Sequence, residues 1–407
     1  MIKGAVETLE FFSMQMAQSF LKKEIEVWFW DLKKPLDSRE TFEKMKPYDD
    51  TVLLTFNFIG LSGEAQFADG EQSIWDACGI PCICIMVDHP MYYYRQLHTE
   101  NKNWTLCCVD RDHCRFTERF YPCYGKVHFV PLAGTELDDT GELTTKAAEP
   151  DRDAPAQSAA MTRHAIPVEK RPIDLLFAGN YVALSDLLPH IEGMDEESRD
   201  YYFSIAGELI AHPARRLEEV ILEHLGRDFP EADSREFLPV MYSMVFIDLY
   251  VRSHFRREIV CSLAEAGLPV TVIGKDWDKS DCKKPEKLRQ TGQLDSRGCL
   301  AYMQQAKISL NIMPWFKDGA HDRIFNGMLQ GCAVVTDSSR YLDEVLTDGE
   351  NAILYLLEER ESLPDQIWDT LRNPARLTDI AAQGYRTAQG AHTWAHRAEE
   401  ILNIYRT

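Results

Sequence analysis

Apolar residues in this chain gather in short strand-length runs, separated by stretches in which apolar and polar positions alternate at helical spacing. EIEVWFW (24–30), TVLLTFNF (51–58), CICIMVDHP (82–90), WTLCCVD (104–110) and KVHFVPLAG (126–134) are the runs of the first third. A helical pattern carrying Ile74, Trp75 and Ala77 precedes the third run. Short apolar strands alternating with helices predict a largely parallel, doubly wound sheet. The alternation restarts at IDLLFAGN (173–180) and gives way to a long helical stretch, about 184–266, with apolar repeats such as Leu217, Val220, Ile221 and Leu225. It then resumes with VTVIG (270–274), GQL (292–294), a helix at LAYMQQA (300–306), ISLNIMP (308–314), Ala333 to Val335 and AILYL (352–356), and closes with two helices. No short fixed-period repeat interrupts this order.

Between the two alternating regions, residues 135–172 are rich in Asp, Glu, Ala, Pro and Thr and poor in large apolar residues. That composition predicts a linker or mobile loop containing a domain boundary. The expected organisation is therefore α/β throughout. Residues 1–134 form one Rossmann-like domain and 135–172 the linker. Residues 173–390 form a second Rossmann-like domain with a helical insert at about 184–250. Residues 391–407 form a C-terminal helix that packs back toward the first domain. Two such domains make a cleft between the carboxyl ends of their sheets, and ligands of doubly wound sheets bind beyond those ends. The positions to inspect are those just past strands: Asn57 to Gly60, Asp88-His89, Gly179-Asn180, Gly274-Lys275, Pro314 to Arg323, and Thr336-Asp337.

Composition narrows the partner. The 407 residues carry 44 basic and 65 acidic side chains, a formal charge of −21. Phosphate backbones need a cationic surface, so nucleic acid is disfavoured and a small molecule or another protein is expected. No apolar run reaches the length of a spanning helix. The N-terminal segment has Glu7 and Glu10 within its apolar part, which suits a helix with an apolar stripe better than a signal peptide. The 11 Cys form no CxxC pair, so zinc-site spacing is absent. Cys82, Cys84, Cys107 and Cys332 lie in apolar runs, as small buried hydrophobes do. A reducing cytoplasm is the expected compartment.

The most informative stretch is 319–337, GAHDRIFNGMLQGCAVVTD. A helix beginning near Ala320 would present unpaired N–H groups and partial positive charge to an anion. His321 and Arg323 sit at that end, and a guanidinium can clamp a phosphate with two parallel bonds. Asp322, Arg323, Asn326 and Gln330 fall on one side of the helix, and Ile324, Phe325, Met328 and Leu329 on the other. The alternative is a surface helix with its polar side in water. FAGNY (177–181) places a Gly where backbone N–H groups can approach a phosphate, although Gly-Asn is equally an ordinary turn. Arg252, Arg256 and Arg257 precede an apolar helical run, and they and Lys275 either project toward the same phosphate region or are solvated. Asp88-His89-Pro90 ends a strand, so Asp88 or His89 either acts as a base for an acceptor hydroxyl or caps the next element. Two DxD strings, Asp110-Arg111-Asp112 and Asp151-Arg152-Asp153, have the spacing of a shared divalent metal but also that of solvated loops.

Taken together, these segments resemble the CgeB-like (spore-maturation-protein) glycosyltransferases, a family of the two-Rossmann-domain GT-B class. The likeness is most specific over ISLNIMPW and HDRIFNGMLQGCAVVTD. It extends to FAGNY, RREIVCSLAEAGLPVTVIGKDW (256–277), HTWAHRAEEIL (392–402), TFNFIGLS (55–62), GIPCICIMVDHP (79–90) and HFVPLAG (128–134). It is weak over 135–172 and about 184–250. The resemblance implies transfer of a sugar from a nucleotide-sugar donor, UDP-sugar on class frequency, with no obligatory metal or other cofactor and retention of configuration. The donor would lie against the second domain, at Gly179, Asn180, Arg256, Arg257, Lys275, Asp318, Gly319, Asn326, Thr336 and Asp337, with His321 and Arg323 as catalytic residues at its diphosphate. The acceptor, a protein, glycan or metabolite, would lie against the first domain near Asn57 and Gly60. Asp88 or His89 would be the base if configuration inverts. Asn326 stands where many related enzymes have Glu; it can bind a hydroxyl but has no charge. A nucleotide-sugar epimerase on the same architecture, and a catalytically degenerate binding or scaffold protein, are the alternatives.

Overall fold

The computed structural model describes residues 1–70, 72–137 and 166–406, so most of the 135–172 segment, including Asp151-Arg152-Asp153, lies outside the described residues. The chain divides into two compact units, Met1–Leu132 with Trp394–Thr407, and Ala133–Thr393.

The first unit contains β1 (Ile2–Lys3), β2 (Trp30–Asp31), β3 (Leu53–Phe56), β4 (Ala68–Asp69), β5 (Gln72–Ser73), β6 (Cys82–Met86), β7 (Trp104–Cys108) and β8 (His128–Phe129). Its main sheet has the order β3-β6-β7-β8 and is parallel throughout. β3 and β6 are wholly buried, which is why they read as continuous apolar runs rather than alternating ones. Cys82, Cys84 and Cys107 are among the buried residues, and all three thiols are raised by burial.

The run 24–30 was expected as a full strand, but only Trp30–Asp31 pairs, parallel to Ile2–Lys3. Its aromatic residues are used in packing instead. Trp30 is fully buried among Phe42, Phe67 and Trp75, with ring centroids 4.8 to 5.9 Å away. The helix Glu7–Leu21 packs on the helix Trp394–Arg406, with Phe12 and Trp394 4.9 Å apart.

The second unit contains β9 (Ile173–Ala178), β10 (Val270–Ile273), β11 (Leu288–Gln290), β12 (Ala306–Asn311), β13 (Ala333–Asp337) and β14 (Ile353–Tyr355). All six strands are parallel, in the order β11-β10-β9-β12-β13-β14. The chain starts in the middle at β9, steps outward to β11, then returns to lay β12 on the other side of β9. That reversal leaves a crevice beyond the carboxyl ends of β9 and β12, the place where doubly wound sheets bind ligands.

The strand expected at 292–294 lies at Leu288–Gln290 instead. Gly292 takes φ +77°, outside the strand region, and its carbonyl accepts from Gly274 N–H at 2.9 Å. The long helical stretch resolves into five helices, Leu184–Glu192, Glu196–Ala211, Leu217–Asp228, Leu238–Ser243 and Val245–Glu265. No helix among the described residues is long and apolar enough to cross a membrane.

One buried cation ties the lower end of this sheet together. Arg171, only 3% exposed, donates to Ala306 O at 2.9 Å and Gln330 O at 2.8 Å. Replacing it leaves both carbonyls without their charged donor. Arg171→Met is expected to cost about 3 kcal/mol, from two hydrogen bonds to a charged group, read as a lowered urea midpoint.

Candidate functional site

The crevice of the second unit is built by three strand ends. Past β9, Gly179 N–H donates to Ile273 O at 2.7 Å, and Gly179 O accepts from the Trp277 indole at 2.9 Å. Asn180 Oδ1 accepts from Lys275 N–H at 3.0 Å, and Asn180 O accepts from Arg256 Nη1 at 2.9 Å. Lys275 thus joins the site through its backbone, and its residue is exposed.

Past β12 the chain runs through Pro314-Trp315-Phe316 to the helix Asp322–Leu329. The sequence placed that start near Ala320. His321, in extended backbone conformation (φ −83°, ψ 140°), is instead the residue preceding the helix. The base of this loop is anchored: Asp318 pairs with Arg340 at 3.2 Å, and Ser339 Oγ donates to Gly319 O at 2.7 Å. Past β13, Thr336 accepts from Asn311 Nδ2 at 3.0 Å. Asp337 takes Met313 N–H on both oxygens, at 2.9 and 3.1 Å, and burial pushes its carboxyl up to about 7. Asp318, Gly319, Thr336 and Asp337 therefore brace the loop through contacts within the protein.

The arginines set the electrostatics. Arg323, 8% exposed, reaches back from the first helical turn to donate to Asn311 Oδ1 at 3.1 Å, with its guanidinium 5.1 Å from the Phe177 ring centroid. A Cβ on Gly179 would come within 3.3 Å of Arg323 Nη2, so the β9 turn and this guanidinium lie against each other. Arg256 stacks over Trp315 at 5.1 Å, and its buried Nε has no hydrogen-bond partner. Arg252 covers the same ring at 4.2 Å but pairs with Asp248 at 2.5 Å. Arg257 donates to Ser280 O at 2.7 Å.

Neither Arg256 nor Arg323 has a carboxylate within ion-pair distance among the described residues. Burial, then the charges of Arg323 and Arg252, push the Arg256 guanidinium down to about 9, and burial lowers Arg323 as well. Two partly desolvated like charges, neither ion-paired among the described residues, make a setting that favours an anion.

Asn326, expected near the donor, and Gln330, on the same side of the helix, are turned toward the protein's own chain. Asn326 Oδ1 accepts from Thr135 N–H at 2.8 Å and its Nδ2 donates to Asp322 Oδ2 at 2.9 Å. Gln330 clasps the same segment, accepting from Leu137 N–H at 3.1 Å and donating to Thr135 O at 2.7 Å. The surface-helix alternative for 322–329 does not hold, because seven of its eight residues are buried.

In the first unit, Asn57 and Asp88 come together at the carboxyl ends of β3 and β6. Asp88 Oδ2 accepts from Asn57 Nδ2 and from Tyr93 OH, both at 3.2 Å, while Asn57 Oδ1 takes Val87 N–H at 2.9 Å. Asn57 and Phe58 both have positive φ, +49° and +59°, a left-handed turn that brings Asn57 back onto Asp88. Gly60 (φ +81°) leaves room for the Ile2 side chain, and its carbonyl accepts from the Trp75 indole at 2.8 Å. His89 is 4% exposed; its Nδ1 caps the next turn by accepting from Met91 N–H at 3.1 Å, and its ring stands edge-on to His113. The first DxD string is used internally. Asp110 caps the helix Arg111–Phe120, and Asp112 pairs with Arg115 at 2.6 Å. Among the described residues, no group of three or more His, Cys, Asp or Glu converges as a metal site would require.

Sequence reasoning did not single out Asn311 or Phe177, which hold Arg323, and it covered Trp315 only as part of the stretch Pro314 to Arg323. Asn311 was detectable as an amide inside an otherwise apolar strand. Phe177 carried no comparable signal, since an aromatic beside a strand end is most often core.

Residues 252–403 match the sequence model of a family described as glycosyl transferase-like. No curated protein matches the chain. Among solved structures, HepE from Anabaena in complex with UDP-glucose superposes with a TM-score of 0.50 at 10% identity, over 100% of this chain and 98% of that one. A sucrose-phosphate synthase from Thermosynechococcus elongatus gives 0.47 at 13% identity (92% and 77% of the two chains), and a glycosyltransferase from Rickettsia africae 0.46 at 9% (100% and 96%). The likeness to HepE shows the fold, the α/β GT-B architecture with parallel sheets. On that fold, residues 252–403 are the part of the chain that matches the glycosyl transferase-like family.

Proposed function

We propose that this chain, a CgeB-like glycosyltransferase, transfers a sugar from a nucleoside-diphosphate sugar, with the diphosphate held by Arg256 and Arg323 beyond β9 and β12. The observation that carries this reading is the pair of guanidiniums at the reversal point of the sheet that have no carboxylate partner among the described residues. The N–H groups at the start of the helix Asp322–Leu329 add donors of the same sign. UDP is the favoured nucleotide, since HepE, which shares the fold, is described in complex with UDP-glucose.

In the reaction, the bond between the anomeric carbon and the β-phosphate oxygen breaks as the acceptor oxygen bonds that carbon. Charge grows on the departing diphosphate, where the two arginines stabilise it. With retention, the acceptor proton passes to that phosphate oxygen. The N-terminal unit would carry the acceptor, and Asp88 is the carboxylate to take its proton if the configuration inverts. No metal is required in this scheme, because the compensating charge comes from side chains.

The test is the melting temperature with UDP, GDP, ADP, CMP and dTDP and their sugar conjugates. A ligand at about 100 times its dissociation constant stabilises the native state by roughly 2.7 kcal/mol, so one nucleotide class is expected to raise the midpoint by several degrees. Absence of any shift at millimolar ligand overturns the donor site and leaves the degenerate scaffold as the better reading. Product formed without an acceptor, with the sugar's configuration changed, would point to the epimerase.

A further inference from the structure

We propose that His321 Nε2 accepts a hydrogen bond from a hydroxyl of the donor's sugar, and that Asp322, Asn326 and Thr135 form a relay that holds it in this role. The inference rests on the reading of Arg256 and Arg323 as diphosphate ligands.

The relay can be assigned atom by atom. His321 Nδ1 lies 2.7 Å from Asp322 Oδ1, and 3.3 Å from Arg323 N–H. Two lone pairs do not approach to 2.7 Å, so a proton lies on Nδ1 and is donated to the carboxylate; the longer contact with Arg323 N–H is the one given up. Thr135 N–H can only donate, so the Asn326 atom facing it at 2.8 Å is Oδ1. Nδ2 then faces Asp322 Oδ2, 2.9 Å away, which can only accept. Each link fixes the next, from a backbone N–H to the imidazole tautomer.

The ring is neutral in this setting. Burial and the nearby Arg323 charge lower His321 more than Asp322 raises it. Burial alone would raise Asp322, but His321 and Arg323 outweigh it and hold the carboxyl below the ordinary range. A neutral imidazole protonated on Nδ1 leaves Nε2 with a bare lone pair. That nitrogen has no hydrogen-bond partner among the described residues, and the side chain is 21% exposed. Trp315 and Phe316 flank the ring, with centroids 6.1 and 6.4 Å away.

A lone pair repels a phosphate oxygen and binds an O–H. The residue thus complements the arginines beside it: they take the anion, and His321 takes a hydrogen-bond donor. In a nucleoside-diphosphate sugar, the donors next to the diphosphate are sugar hydroxyls. Asn326, having no charge, is suited to the relay, because a carboxylate there would face Asp322 and repel it. Asn326 is accordingly a positioning residue.

The test is calorimetric binding of UDP and UDP-glucose to the full chain, its His321→Phe variant and its Asn326→Leu variant. Loss of one hydrogen bond corresponds to roughly a 2- to 13-fold loss of affinity. UDP-glucose affinity is expected to fall by that factor in His321→Phe, and by a similar or smaller factor in Asn326→Leu, while UDP affinity stays within about twofold. A second measurement needs no variant. ¹⁵N NMR of the histidine rings is expected to show His321 protonated on Nδ1, with Nε2 shifting on addition of UDP-glucose and not of UDP. If UDP and UDP-glucose lose affinity equally, or Nε2 carries the proton, the assignment of His321 to a hydroxyl is overturned while the arginine site stands. If wild-type protein binds neither nucleotide, the arginine site is overturned and this inference with it.

Discussion

Arg323→Ala is expected to weaken nucleoside-diphosphate binding on the order of 100-fold while changing the stability of the unliganded protein little. The two halves of this expectation have one cause. In the unliganded protein Arg323 is buried against Phe177 and, among the described residues, its side chain is hydrogen-bonded only to the neutral Asn311, with Arg256 near enough to be depressed by its charge. Removing it relieves that repulsion and a desolvated charge, at the cost of one hydrogen bond to a charged group, about 1.5–3 kcal/mol, and of its attraction to Asp322 and Asp337. In the complex the balance reverses, because a guanidinium bonded to a desolvated phosphate is a strong charge-assisted contact. Truncating one partner of such a buried pair costs roughly 2–5 kcal/mol, and each 1.4 kcal/mol is about tenfold in affinity, so a loss on the order of 100-fold is expected. Arg323→Lys keeps the charge but not the fork, and should fall between. Calorimetry with UDP reads the first half and thermal melting without ligand the second. Ordinary UDP affinity in Arg323→Ala would refute the site; a large drop in the unliganded melting point would mean that Arg323 serves the fold.

The parts of this site differ in how far the sequence exposes them, and the reason is physical. Strands such as Cys82–Met86 and Ala333–Asp337 are buried on both faces, so their apolar runs announce them. The helix at 322–329 was recognisable from its period, and Arg323 from its place in the first turn. Partners at long range were not recognisable. Thr135 lies 191 residues from Asn326, and nothing in either segment encodes their pairing. Asn326 was consequently expected on the donor, because an amide on a helix near a strand end has the same sequence signature whether it faces a ligand or a backbone N–H. Strand ends blurred for a related reason. Hydrophobicity places Trp30 in an apolar run but does not distinguish a hydrogen-bonded strand from an aromatic cluster, and packing among Phe42, Phe67 and Trp75 decided between them. The predicted GQL strand slipped because Gly292 needs a positive φ that composition does not reveal.

Gly274→Ala is expected to be the most damaging single methyl in the second unit, and Gly207→Ala the harmless counterpart. Gly274 has φ +147°, and a Cβ there would lie 2.3 Å from Gly179 O and 2.7 Å from Gly179 C. Both are backbone atoms of the neighbouring strand end, so no side-chain rotation relieves the clash. The ends of β9 and β10 must part, breaking the 2.7 Å bond from Gly179 N–H to Ile273 O and the 2.9 Å bond from the Trp277 indole. Strained backbone alone costs about 1–3 kcal/mol, and each buried polar group left unpaired about 1–3 more, so a loss of roughly 4 kcal/mol or greater is expected. The ligand-induced melting shift should vanish as well, because the Asn180 carbonyl that holds Arg256 moves with the turn. Gly207 lies inside the helix Glu196–Ala211 with nothing within 4 Å of its would-be Cβ. Ala is favoured over Gly in a helix interior by about 1 kcal/mol, so that variant should gain stability and keep the ligand shift. Urea midpoints for the pair, measured with and without UDP, separate the two effects. Equal midpoints would show that the β9 and β10 ends are not packed as closely as the Gly179–Gly274 contact requires, and the phosphate-facing turn would lose its structural basis.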